Sequence, residues 1–288
     1  MLAGILINLA LLKIVSAGPC PSSGGSPTLG YHEPTPLPSP ASWGKHKVLG
    51  YYGDDEAQFL APSAVPWSHL THISFAFGSI GSDYTVNITT EESLMSNVFS
   101  TALNHGVKPL LAVGGWGPGS EMYSAMVSNK TTRAKFIRSL HPLVTKYAMA
   151  GLDICWEYPG RASDGIVPFN ATGDFPNLVL FLQELRAAFD SATFSVSAAV
   201  AGVTPFAKDV SEIASHLDWA SVMEYDFATG ILDQTTADAP LKGSLSGQSG
   251  IEAWVTAGMP TTKMIYAIPS YGRSFTLTDV PPLAVILI

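Results

Sequence analysis

A chain of 288 residues with 47% hydrophobic side chains is long enough for one large domain or two small ones. Its formal charge of −8 and its 15 Lys and Arg, nowhere gathered into a run, argue against nucleic acid or an anionic membrane as partner. An uncharged polymer such as a polysaccharide fits that balance, although charge alone does not select it.

The chain opens on an apolar stretch that leads to Val15-Ser16-Ala17, a small-residue cleavage pattern, and residues 1–17 read as a secretory signal peptide. The stretch is too short to span a bilayer comfortably. Three sequons, at Asn87, Asn129 and Asn170, agree with export and are candidate glycosylation sites. Residues 18–44 are dense in Pro, Ser and Gly and read as a disordered leader. The folded region is expected from Lys45 onward, so residues 45–288 form the working domain. Cys20 and Cys155 do not make a disulfide framework, and no Cys or His stands at metal-ligand spacing.

From Lys45 short apolar runs alternate with helical patterns. Val48–Gly53 and His72–Gly78 read as strands, followed by a helix over Glu91–His105 that ends at Gly106. Pro109–Trp116 is a third strand. Over Thr132–Tyr147 the apolar residues Phe136, Ile137, Leu140, Leu143, Val144 and Tyr147 recur at helical spacing. A fourth strand begins at Gly151. A helix from Pro176 to Phe189 carries proline in its first turn. Phe194–Val200, Trp219–Phe227 and Met264–Tyr271 are the remaining strands, separated by helices at Ser211–Leu217 and Ile251–Ala257. Seven strands alternating with helices predict parallel βα units in an α/β protein. The unusually apolar strands suit a sheet covered on both faces. A (β/α)₈ TIM barrel of about 250 residues fits, with an open doubly wound sheet as the alternative. An eighth strand is missing. The apolar tail Pro281–Ile288 follows too closely for a parallel crossover, so the barrel is expected to be truncated and incomplete.

The fourth strand carries the chemistry. Along Gly151–Tyr158, Leu152, Ile154 and Trp156 point one way, Trp156 toward the helices, while Asp153, Cys155 and Glu157 point the other. A carboxylate closing such a column beside Trp156 and Tyr158 suits a partly desolvated general acid with a raised pKa. Asp153 is placed deep in the barrel, near its floor. Glu224 alternates with Met223 and Tyr225 and is expected to face away from the column.

Ala150, Asp153, Cys155, Glu157, Tyr158 and Pro159 resemble the signature of glycoside hydrolase family 18, the chitinase family, usually Asp-x-x-Asp-x-Asp-x-Glu followed by Tyr-Pro. Two of its aspartates are replaced, by Ala150 and Cys155. Five other strands agree in order: Gly50-Tyr51-Tyr52, Phe75-Ala-Phe77, Ala112-Val-Gly114-Gly115-Trp116, Met223-Glu-Tyr225-Asp226 and Pro269-Ser-Tyr271-Gly272-Arg273. With Ala239-Pro-Leu, the pattern is most similar to fungal secreted chitinases. The resemblance implies a TIM barrel that cleaves β-1,4-linked N-acetylglucosamine polymers with help from the substrate's own acetamide. Glu157 would be general acid and base, with Asp153 and Tyr225 completing the catalytic set. Tyr51, Phe75, Gly115, Trp116, Cys155, Tyr158, Met223, Asp226, Tyr271 and Arg273 would line the sugar cleft. The family implies no cofactor or metal and a secreted, extracellular, monomeric protein whose partner is chitin or chitooligosaccharide, with no membrane contact after signal cleavage. A thiol at 155 cannot replace a carboxylate's charge-assisted hydrogen bond. The leading expectation is therefore a chitinase of impaired activity. Its rivals are a catalytically silent chitin-binding relative and a chain that does not fold stably.

Overall fold

The computed structural model describes residues 4–8, 46–88, 92–161, 167–228 and 235–275. Nine strands occur in them: β1 (Gly4–Asn8), β2 (Lys47–Gly53), β3 (His72–Ile80), β4 (Val86–Asn87), β5 (Lys108–Gly115), β6 (Gly151–Trp156), β7 (Ser195–Ala201), β8 (Trp219–Met223) and β9 (Met264–Ile268). The helices are α1 (Asp54–Ala57), α2 (Glu92–Asn104), α3 (Tyr123–Ser128), α4 (Lys130–Tyr147), α5 (Asp174–Ala188), α6 (Ser211–His216) and α7 (Gly247–Thr256). The sheet runs β2-β1-β9-β8-β7-β6-β5-β3, and β3 pairs back onto β2 to close the ring. Every pairing in the ring is parallel; β4 adds only a short antiparallel ribbon on β3. The α/β barrel expected from the alternating pattern is the observed fold.

One expectation is corrected. The seven predicted strands are all present, but the eighth place is filled by β1, drawn from the stretch read as a signal peptide. Gly4 lies opposite Lys47 on one side and Ile265 on the other. The physical reason is the unpaired backbone that β2 and β9 would otherwise present along facing edges, which a five-residue strand satisfies on both sides. The apolar tail at Pro281–Ile288, Cys20 and the leader at residues 18–44 lie outside the described residues.

Element ends also differ from the sequence reading. β6, β8 and β9 stop at Trp156, Met223 and Ile268, so Glu157, Tyr225, Asp226 and Tyr271 stand on the loops just beyond them. Aromatic residues (Tyr158, Tyr225, Phe227 and Tyr271) recur past the last ladder bond, which is why the strands read from sequence overran. α4 begins two residues early because Asn129 caps it, its side chain accepting the Thr131 N–H at 2.7 Å.

Two kinds of core result. Between sheet and helices, outward residues such as Phe75, Leu111, Ile154 and Val196 meet Phe99, Phe136, Phe181 and Leu185. Inside the barrel, Leu49, Leu110, Trp219 and Ile265 fill the lower layer, whereas the upper one is built from Ala76, Ala112, Cys155 and Ala199. Small side chains in that upper layer leave room above them, and this places the cleft at the C-terminal ends of the strands.

Candidate active site

Glu157 follows the last residue of β6 and is held by its backbone. Its N–H donates to the buried Ser120 Oγ at 2.7 Å, and that hydroxyl donates to the Gly115 carbonyl at 2.8 Å. The approach depends on two glycines at the end of β5. Gly114 has φ +111°, and a Cβ there would lie 2.3 Å from the Cys155 carbonyl; at Gly115, φ +95°, it would meet the Phe77 ring at 3.2 Å. Burial raises the Glu157 pKa to about 7; the negative charge of Asp226 adds to this, and a hydrogen bond from Tyr158 opposes it. The group is a carboxylic acid below neutral pH and can donate its proton to a leaving oxygen.

The column beneath it is buried. Cys155 is 2% exposed and a free thiol. Burial, reinforced by Asp153 and Glu157, keeps its pKa well above the ordinary thiol value, so it is neutral. Its Sγ–H points down to Asp153 Oδ2 at 3.7 Å. Asp153 is fully buried and takes further bonds from the Tyr51 hydroxyl, from Ser197 Oγ at 2.6 Å and from Ser74 Oγ at 3.5 Å. Burial raises its pKa, and those donors pull it back. Asp153 therefore sits deep in the barrel, as predicted, with Cys155 between it and Glu157. Tyr51 spends its hydroxyl on Asp153 below the cleft.

Across the mouth, the loops after β8 and β9 form a second cluster. Tyr225 keeps its proton, because burial first and then Tyr271 and Glu157 raise its pKa well above the usual phenol value. Met223 packs beneath it against the barrel interior. Asp226 adopts φ +63° and accepts from Tyr271 Oη at 2.8 Å and from the Arg273 guanidinium. Trp116 is 54% exposed at the rim, edge-on to Tyr158 with centroids 6.2 Å apart, and Arg161 lies 4.4 Å above the Tyr158 ring.

Three placements depart from or sharpen the sequence reading. Phe75 does not line the cleft: it is 2% exposed and packs edge-on against Phe99 of α2. The register shift between Ala76 and Gly78 changes the alternation there, and the aromatic left at the rim is Phe77, 47% exposed. Trp156 faces outward as expected and stacks on Tyr123 at 5.2 Å. Glu224 also faces outward, yet into the packed layer rather than solvent, with both carboxylate oxygens buried and without a hydrogen-bond partner among the described residues. Sequence reasoning passed over Ser120 and Asp174. The latter accepts from Ser124 Oγ, Gly160 N–H and Asn170 N–H at 2.7–3.0 Å and so anchors the chain after Pro159. The Gly117-Pro-Gly-Ser120 turn was the available signal for the first; for the second there was none. Asn87, Asn129 and Asn170 are all exposed.

The fold and site together define a parallel (β/α) barrel with an acid of raised pKa, Glu157, at the C-terminal end of a central strand. The chain belongs to the family described as Glycosyl hydrolases family 18, whose sequence profile matches residues 47–282. It is 30% identical over 258 residues to a "chitinase-like effector" of Moniliophthora roreri and 32% identical over 264 residues to an "Endochitinase" of Manduca sexta. Those matches cover 84% and 83% of this chain but 62% and 45% of the relatives, so the chain spans about half the length of the proteins it resembles. Among solved structures, a chitinase of Rhizomucor miehei superposes with TM-score 0.73 at 28% identity, covering 82% of this chain and 67% of that one. A Cycas revoluta chitinase in complex with (GlcNAc)3 gives 0.66 at 26% identity, covering 76% and 67%. A chitinase-like agglutinin of Robinia pseudoacacia gives 0.65 at 30% identity, covering 75% and 67%.

Proposed function

We propose that this protein binds chitooligosaccharides in the cleft beside Glu157 and hydrolyses their β-1,4 bonds slowly, outside the cell. The observation that carries the reading is the contrast between Glu157 and Cys155. The acid is poised to protonate, while the group beneath it is a neutral, buried thiol turned toward Asp153.

In a substrate-assisted reaction, Glu157 gives its proton to the glycosidic oxygen as the C1–O bond breaks. The substrate's 2-acetamido oxygen attacks C1 and closes a cationic oxazolinium ring. Tyr225 donates a hydrogen bond to that oxygen, while Trp116 and Tyr158 offer ring faces to the sugars. Water then attacks C1, its proton passing to the Glu157 carboxylate, and the acetamide is restored. The oxazolinium needs a negative partner at the acetamide nitrogen. Cys155 cannot supply that charge, and Asp153 lies one layer deeper. Loss of such a preorganised partner costs on the order of 3–4 kcal/mol, or a hundredfold or more in kcat.

Three proteins test this with a fluorogenic chitooligosaccharide and with chitotetraose binding. The native chain should bind and turn over slowly. Cys155→Asp should gain about a hundredfold in kcat, and Glu157→Gln should bind with no turnover. A second reading, a silent chitin-binding protein, is favoured by the same thiol and by the likeness to an agglutinin. Binding with no turnover in the native chain, and turnover only in Cys155→Asp, would establish it. Absence of binding in all three would remove both.

A further inference from the structure

Arg273 serves two carboxylates. Its terminal nitrogen bonds Asp226, while its Nε–H donates to Asp238 Oδ1 at 2.9 Å. The two acids differ in setting. Asp226 has a side chain 42% exposed and faces the mouth of the cleft; Asp238 is 12% exposed, on the cluster's inner side. Asp238 is tied to the same loop by its backbone, its carbonyl accepting the Phe227 N–H at 3.0 Å. Its second oxygen, Oδ2, is buried with no partner among the described residues. A carboxylate so placed makes one directed bond, and that bond ends on Arg273.

The guanidinium needs such an anchor. An arginine this exposed has several rotamers open to it, and fixing the long side chain in one of them costs entropy. Two acceptors at different nitrogens hold its plane where one alone would let it swing. Asp226 in turn is left-handed at its backbone and takes its side-chain orientation from Arg273 and Tyr271. We propose that Asp238 is a positioning residue of the cleft: it fixes Arg273, and through it the Asp226 and Tyr271 side chains that face the sugar. This rests on the cleft reading given above. It also bears on the acid, because Asp226 is one of the charges that raise the Glu157 pKa. With Asp238 present, one cation is shared between two anions. Without it one anion and one cation remain, so the cluster loses its net negative charge even as Arg273 becomes freer to swing, and the field on Glu157 weakens.

The test compares the full chain with Asp238→Ala and Asp238→Asn. In the native protein the Arg273 Nε–H should give a sharp, slowly exchanging NMR signal. In Asp238→Ala it should broaden or vanish, chitotetraose affinity should fall about tenfold, and the Glu157 titration, followed by its carboxyl carbon shift, should move to lower pH. Asp238→Asn keeps an acceptor oxygen without the charge; it should restore most of the affinity but not the titration. A persistent Nε–H signal in Asp238→Ala, or unchanged affinity and titration, overturns the proposal. If the native chain binds no chitotetraose, the cleft reading falls, and the Nε–H and titration readouts still decide the role of Asp238.

Discussion

Glu157, half-buried, and Glu224, fully buried, are both acids whose pKa burial raises, and their surroundings make them opposites. Glu157 faces the cleft, is bonded by Tyr158, and is held at about 7. Glu224 faces the helices and has no hydrogen-bond partner among the described residues; burial alone raises its pKa to about 8 from 4.5. Gly202 and Gly250 crowd it so closely that a Cβ on Gly250 would lie 2.3 Å from its Oε2. Both folded values exceed the unfolded one, so both acids contribute stability that is fully present below pH 4.5 and lost as pH rises through 7 to 8. The chain should melt at its highest temperature in mild acid. Glu224→Gln removes one titration and should raise Tm at pH 8 by roughly 3–6 °C, with little change at pH 4.5. Calorimetry across that range would expose an error as parallel curves for the two proteins. The place of Glu157 at the end of its strand was legible from its flanking aromatics, and the outward parity of Glu224 from alternation. Its burial was not, because that depends on α7 lying over β8.

At the scale of elements, the end of β5 shows how little freedom the site allows. Gly114 pairs with Cys155, and Gly115 with Trp156, across the β5–β6 ladder. The positive φ of both glycines turns the chain into the Ser120 turn that holds the Glu157 amide. Gly114→Ala would combine a left-handed alanine with a clash against the Cys155 carbonyl. It should cost about 3 kcal/mol and lower Tm by roughly 6–12 °C, while Gly106→Ala, where a Cβ meets nothing within 4 Å, should cost much less. Equal losses in the two variants would show that contact at Gly114 matters less than its backbone angle. The Gly-Gly pair was readable as part of a family pattern. Its purpose required seeing β5 and β6 side by side.

The barrel as a whole turns on β1. Seven strands of an eight-place ring leave β2 and β9 as facing edges, and Gly4–Asn8 bridges them in register. Cleavage after Ala17 would remove that strand, so a chain beginning at residue 18 should unfold at a temperature roughly 10 °C lower than one that keeps residues 1–17. It should also bind more of a dye that senses exposed apolar surface. Identical melting of the two chains would mean that β1 contributes nothing to closure. Among the described residues no helix is long and apolar enough to cross a membrane.

The sequence by itself determined the order of seven strands, the parallel barrel, the family and the identity of the cleft acid. The strands and the barrel follow from alternation and apolar runs, and the family and the acid from the resemblance of short motifs to a known signature; all are properties of neighbours along the chain. It also revealed the two missing aspartates, since a substitution within a motif needs no coordinates to be seen. The tertiary structure alone decided that Phe75 belongs to the outer core and Phe77 to the rim, that Cys155 turns down to Asp153, and that Asp238 meets Arg273. It alone decided that the eighth place is filled from the N-terminus. Each of these is a contact between segments far apart in the chain, set by which surfaces remain unpaired once the local elements have formed.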